Sequence, residues 1–232
     1  MSFTLPPSKL PNVGTTIFTQ MSQLAAEHGA LNLGQGFPDF ALPDFLQQAL
    51  VQAMREGHHQ YAPMTGVAAL REQIAAKAQA LYGAQVDEAA EVTVTSGATE
   101  AIFAAIHAVA SHGDQVIVLD PCYDCYEPAI ELAGAQAVHV PLRAPDFSVD
   151  WQRVRDAIGP RTRMLIVNSP HNPSGAVFSA ADLKALADVL RGTRIVLLSD
   201  EVYEHIVFDG VPHFSVLRHP ELADDPRFAS NT

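Results

Sequence analysis

Between Val92 and Ser199 the chain alternates, with little variation, between short apolar runs and longer amphipathic ones. No other feature limits the fold as much. The short runs are Val92–Thr95, Gln115–Leu119, Ala137–Val140, Met164–Asn168 and Ile195–Ser199. They are rich in Val, Ile and Leu, as expected of strands buried on both faces. Between them lie helical patterns: from Ser96-Gly97 to about residue 110, then residues 123–132, 150–158 and 180–190. Strands separated by helices predict an α/β fold, a mostly parallel sheet sandwiched by helices with right-handed crossovers.

The first ninety residues are built differently. Pro6, Pro7 and Pro11 oppose helix, so residues 1–19 read as an extended arm. A short helix is expected over residues 20–28, stopped by Gly29. Residues 31–43 are punctuated by Gly34, Gly36, Pro38 and Pro43 and read as irregular. Helical spacing returns over residues 44–55 (Phe45, Leu46, Ala49, Leu50, Ala53) and 67–81 (Leu70, Ile74, Ala78, Leu81). At the other end, Arg227–Thr232 is polar and predicts no closing element.

Composition narrows the class. Of 232 residues 48% are hydrophobic and 17% charged, which excludes a disordered chain. Fourteen basic against 26 acidic residues leave a net charge of −12, which argues against a nucleic-acid binder. The most apolar helical stretch, residues 101–110, contains His107 and is too short to span a membrane. Prolines occupy the place of a signal peptide's apolar run, so the expected location is cytoplasmic. Two cysteines cannot make a disulfide scaffold.

In parallel sheets ligands bind beyond the carboxyl ends of the strands, so the residues that follow each strand matter most. After the first strand comes Ser96-Gly97-Ala98-Thr99-Glu100, small residues opening a helix. Such a turn can cradle a phosphate or carboxylate on free N–H groups, and it equally suits an ordinary capped turn. After the second comes Asp120-Pro-Cys-Tyr-Asp-Cys-Tyr126, in which Tyr123, or else Tyr126, could stack on a flat ring or fill the helix–sheet seam. Cys122 and Cys125 make one C-x-x-C pair, only two ligands, and no metal site is expected from it. After the fourth comes Ser169-Pro-His-Asn-Pro-Ser-Gly175, a stiff loop able to aim the Asn172 amide, with one or both X-Pro bonds open to the cis form. After the fifth comes Asp200-Glu-Val-Tyr203. A carboxylate at a buried strand end needs a partner, for which a protonated ring nitrogen would serve. It could also be a helix cap. A phosphate cradle, a stacking aromatic, an amide, a carboxylate and a phenol together match pyridoxal 5′-phosphate, whose protonated ring acts as an electron sink.

These motifs, with Leu33-Gly-Gln-Gly-Phe-Pro-Asp-Phe40 and Gln60-Tyr-Ala-Pro-Met-Thr-Gly66, occur in an order that resembles the fold type I (class I/II) pyridoxal-phosphate aminotransferases, on their kynurenine and methionine aminotransferase branch. The resemblance runs from about residue 12 to the end. It implies that Gly97, Ala98 and Thr99 hold the phosphate, Tyr123 stacks on the ring, Asn172 and Tyr203 contact its oxygen, and Asp200 pairs with its nitrogen. Gly36 would lie by the substrate carboxylate with Asn172, Phe18 would line the side-chain pocket, and Tyr61 would reach the phosphate across a homodimer interface. The implied reaction moves an amino group from a large neutral amino acid (methionine, glutamine, aromatic or kynurenine type) to a 2-oxo acid. Residues 1–43 would be the arm and part of a small domain, and residues 44–232 an incomplete cofactor-binding large domain. The family's Schiff-base lysine is expected some thirty residues after the Asp-x-x-Tyr motif. The lysines here are Lys9, Lys77 and Lys184, so the chain reads as C-terminally truncated, with no catalytic lysine of its own. The alternative is an inactive fragment that binds cofactor weakly or pairs with an intact homologue.

Overall fold

A computed structural model describes residues 6–36, 38, 40–223 and 228–231. They form two compact units. One runs to Met64 and the other begins at Thr65, except that Ser8–Leu10 belongs with the second.

The first unit carries α1 (Ile17–Glu27) and α2 (Asp44–Arg55). Helix α1 begins three residues before its apolar pattern suggests, because the Thr16 hydroxyl caps it by accepting from the Thr19 N–H. Past its cap at His28, Gly29 takes φ +59° as a helix-terminating glycine does. The Asn32 amide donates to the Ser22 hydroxyl at 3.0 Å and Ser22 donates to Gln35 Oε1 at 3.3 Å, folding residues 32–35 back onto α1.

The second unit contains the sheet. Its elements are α3 (Ala68–Tyr82), α4 (Ala98–Val109), β1 (Gln115–Asp120), α5 (Tyr126–Leu132), β2 (Gln136–Pro141), α6 (Trp151–Ala157), β3 (Thr162–Asn168), α7 (Ala180–Leu190), β4 (Val196–Asp200), a short 3-10 turn (Val216–Arg218), α8 (Pro220–Ala223) and β5 (Phe228–Asn231). The strand order is β2-β1-β3-β4-β5, and every pair is parallel. The α/β fold expected from the sequence is thus present, with continuous apolar strands for a plain reason. Val116, Val118, Met164, Ile166 and Leu198 face one core together with Ile102 and Ile106 of α4 and Ile130 of α5. Their neighbours Ile117, Leu119, Leu165, Val167 and Leu197 face the other, with Val154 of α6 and Leu183, Leu186 and Leu190 of α7. Both faces of β1 and β3 are dry along Val116–Leu119 and Met164–Val167, so all of these positions are apolar. Asp150 caps α6 through the N–H groups of Gln152 and Arg153, and Ser179 with Asp182 forms a capping box on α7.

Three local expectations change. Residues 92–95 are extended but form no strand, because a strand exists only where a neighbour supplies a ladder. Here the backbone bonds run from Val94 N–H to the Thr65 carbonyl, at 3.0 Å, and from Gly97 N–H to the Thr95 carbonyl, at 2.9 Å, and make no ladder. The helix expected from residue 123 begins at Tyr126, which leaves Tyr123 in the preceding turn. Near the end, where no element was expected, Phe228–Asn231 pairs with Leu197–Asp200 as a fifth strand. Polar residues suit it, since its backbone bonds come from β4 and not from its own pattern. Arg227 and Thr232 lie outside the described residues.

Candidate functional site

Asp200 closes β4 at the carboxyl end of the sheet and is 3% exposed. A carboxylate so deep needs donors. The Tyr126 hydroxyl donates to its Oδ2 at 2.7 Å, and the Val202 N–H to its Oδ1 at 3.2 Å. Among the described residues no Lys, Arg or His forms an ion pair with it. Burial and the Asp200 charge push the Tyr126 phenol far above its ordinary range, so it remains a donor.

Two loops converge on Asp200. Asn168, at the end of β3, donates its amide to the Asp200 carbonyl at 2.9 Å and accepts from the Asn172 N–H at 2.7 Å. This ties the Asn172 loop to β4. Both X-Pro bonds of that loop, Ser169–Pro170 and Asn172–Pro173, are cis. His171 is spent inside the loop against the Ser174 hydroxyl, at 2.7 Å, and burial lowers its basicity. Asn172 and Tyr203 line one open cleft of about 680 Å³ with Val177, Ile206 and Phe208.

The second loop precedes α5. The Thr99 hydroxyl lies beside both the Tyr123 phenol and the Cys125 thiol, and Tyr203 is close enough to raise the Tyr123 phenol. Tyr123 is half-buried and Tyr126 fully buried, with ring centroids 5.9 Å apart, edge to face. Tyr126, the alternative stacking residue, is therefore unavailable: its hydroxyl belongs to Asp200 and its ring to the core. Cys122 and Cys125 are free thiols, each pushed up to about 12 by burial and then by the nearby Asp120 or Asp200 carboxylate. A redox pair needs the opposite shift.

Helix α4 begins at Ala98 with Gly97 before it, and no side chain caps it. Its first N–H groups have no partner within the helix. The Ser96 N–H is held instead by the Glu100 carboxylate. Gly97 takes φ +85°, where only glycine is unstrained, and a Cβ built on it would meet open space. The turn is thus open toward a ligand at the positive end of a twelve-residue helix.

The structure therefore gathers Thr99, Tyr123, Asp200 and Tyr203, with Asn172 tied in through Asn168. Phe18, Gly36 and Tyr61 belong to the first unit, where Tyr61 is fully exposed. The lysines are elsewhere. Lys77 is paired with Glu204, Lys184 is exposed on α7, and Lys9 is exposed. Two residues have no role in the sequence expectation, Asn168 and Glu201, and Tyr126 enters it only as a ring that stacks or fills the seam. Glu201 is 1% exposed and accepts from Ser199 at 2.8 Å, from the Val216 N–H at 3.0 Å and from His213 at 2.8 Å. For Glu201 a signal was present: a second carboxylate directly after a buried strand.

An anion-ready helix start and a buried carboxylate with no cationic partner among the described residues, with phenols and an amide nearby, would suit a phosphorylated ring with a basic nitrogen. Residues 29–232 match the family model for aminotransferase class I and II, and the chain belongs to that family. Enzymes of this family use pyridoxal 5′-phosphate. The donor set described above fits that group. The chain is 53% identical over 220 residues to the methionine aminotransferase of Escherichia coli (strain K12), which covers 95% of this chain and 57% of that one. It is 36% identical over 237 residues to kynurenine–oxoglutarate transaminase 1 of Rattus norvegicus, covering 97% and 56%. A crystal structure from E. coli, described as having methionine aminotransferase function, superposes with a TM-score of 0.93 at 52% identity, over 98% of this chain and 59% of that one. The N-succinyldiaminopimelate aminotransferase of Mycobacterium tuberculosis superposes with a TM-score of 0.91 at 43% identity, over 97% and 59%. The chain thus spans a little over half the length of these relatives. No helix among the described residues is long and apolar enough to cross a membrane.

Proposed function

We propose that the chain carries the cofactor-binding part of an aminotransferase that moves an amino group from a large neutral amino acid to a 2-oxo acid. The observation that carries this reading is Asp200, a buried carboxylate at a strand end without a cationic partner among the described residues. When bound, pyridoxal 5′-phosphate supplies a protonated ring that draws electrons from the substrate Cα. Asp200 holds the proton on the ring nitrogen, because a nearby negative charge favours the protonated form. The N–H groups around Gly97, Ala98 and Thr99 hold the phosphate. The Tyr123 ring covers one face of the cofactor, and Asn172 and Tyr203 donate to the ring oxygen. Asn172 also meets the substrate carboxylate. The roles of Gly36 and Phe18 toward substrate, and of Tyr61 toward a second copy of the chain in a homodimer, rest on the family resemblance. Methionine is the substrate favoured by the 53% identity to a methionine aminotransferase.

With Lys77 paired to Glu204 and Lys9 and Lys184 exposed, these 232 residues hold the cofactor by non-covalent contacts. Cofactor titration followed by Trp151 fluorescence tests the reading. Saturable binding is expected, weakened by Asp200→Asn about tenfold or more, since a charge-assisted bond is worth about 1.5–3 kcal/mol. Unchanged affinity in that variant would remove Asp200 from the site. Borohydride with stoichiometric cofactor, followed by intact mass, should leave no stoichiometric adduct on a single lysine. Such an adduct on Lys9, Lys77 or Lys184 would overturn the non-covalent reading.

A further inference from the structure

The carboxyl ends of β1 and β2 carry a second group of polar side chains that the cofactor reading does not use. Asp120 ends β1, and Cys122 follows it after Pro121. His139 stands in β2, in register with Val118, two residues before Asp120 and therefore on the same face of the sheet. His139 Nδ1 lies 3.0 Å from Asp120 Oδ1 and 2.9 Å from Oδ2. One ligand atom from each of Asp120, Cys122 and His139 falls within 4.8 Å of the other two. Thiol, imidazole and carboxylate are the three ligand types a zinc-like divalent ion takes. The C-x-x-C spacing pairs Cys122 with Cys125, but the fold sets Cys122 against Asp120 and His139 and leaves Cys125 beside Thr99.

A further carboxylate supports the reading. His139 Nε2, the nitrogen turned away from Asp120, is 3.5 Å from Glu127 Oε1 on α5. A carboxylate behind a histidine fixes the tautomer that keeps the proton on the far nitrogen and leaves the near lone pair for a metal. Both the Asp120 and His139 side chains are about one-third exposed, so an ion can reach them from solvent.

We propose that Asp120, Cys122 and His139 bind one zinc-like divalent cation, with Glu127 orienting His139 and a water completing the coordination shell. On binding, three ligand bonds form. The Cys122 thiol proton and any proton on His139 Nδ1 pass to solvent, and no electron is transferred. Without metal, the Asp120–His139 pair occupies the same place.

Cobalt(II) is the probe. The chain is freed of metal with a chelator and titrated with Co²⁺ without added cofactor. The expected result is one equivalent bound, with a thiolate-to-cobalt charge-transfer band that Zn²⁺ abolishes by displacement. Cys122→Ser should lose the band, and Cys125→Ser should keep it. Glu127→Gln should weaken binding about 10- to 100-fold, and His139→Gln by at least as much. His139 is at an exposed position, so that variant reports even if Cys122→Ser folds poorly. Absence of the band, its survival in Cys122→Ser, or an unchanged affinity in His139→Gln would overturn the proposal and leave an ion pair only.

Discussion

Replacing Tyr126 with phenylalanine removes one oxygen from the second unit and leaves the ring that fills the helix–sheet seam. That oxygen donates to Asp200 at 2.7 Å, and both residues are 3% exposed. No water can replace the lost donor at that depth without opening the core. A hydrogen bond to a charged group contributes about 1.5–3 kcal/mol, and the ring itself keeps its packing, so the loss should fall in that range. For a chain of this size each kcal/mol lowers Tm by about 2–4 °C, giving a drop of about 3–12 °C. Urea unfolding followed by the single tryptophan, Trp151, measures it. Tyr123→Phe is the control: Tyr123 is only half-buried, and its loss should stay below about 1 kcal/mol. Cofactor titration should separate Tyr126→Phe from Asp200→Asn. Asp200 with one donor fewer is a stronger acceptor for a ring N–H, so Tyr126→Phe should not weaken binding, unlike Asp200→Asn. A stability loss under about 0.5 kcal/mol in Tyr126→Phe would refute the argument that this phenol satisfies the buried carboxylate.

Gly66 and Gly97 both have positive φ, +94° and +85°, but only at Gly66 would a Cβ meet a side chain, 2.7 Å from Val94 Cγ2. Gly66→Ala should therefore cost more stability than the roughly 1–2 kcal/mol expected from the dihedral at Gly97, while only Gly97→Ala should reduce cofactor affinity. Glu204 predicts a pH dependence. Burial acts to raise its carboxyl, yet the bonds from Lys77 and Tyr82 outweigh burial and hold it below its ordinary 4.5. A group depressed on folding contributes stability above its unfolded pKa and loses it as pH falls through the folded one. Urea midpoints should thus fall on acidification below about pH 4.5, and Glu204→Gln should flatten that part of the curve. An identical acid limb in the variant would contradict this.

Much of the candidate site could be read from the chain because its motifs are local. Ser96-Gly97-Ala98 opens a helix whatever surrounds it, and Asp200 follows an apolar run long enough to be a strand. Tyr126 was harder to read. Its spacing from Tyr123 allowed either ring to face a ligand, and only the start of α5 at Tyr126 turns one inward. Cys122 misled in the same way. The eye pairs it with Cys125, three positions on, while His139, on another strand, has no mark in the sequence to connect it.

The amino-acid sequence by itself determined most of the element types, their order and the strand ends that bear the candidate functional groups. Periodicity, capping and turn chemistry act over a few residues, and these carry that information. Tertiary structure alone decided which polar atoms meet. The Tyr126–Asp200 bond spans 74 positions and the Asn168–Asp200 bond 32. Both exist because β1, β3 and β4 lie side by side and parallel, which brings their carboxyl ends to one edge of the sheet. Residues 92–95 show the converse. Their pattern is that of a strand, but among the described residues no neighbour lends them a ladder, and a strand is a property of the pair.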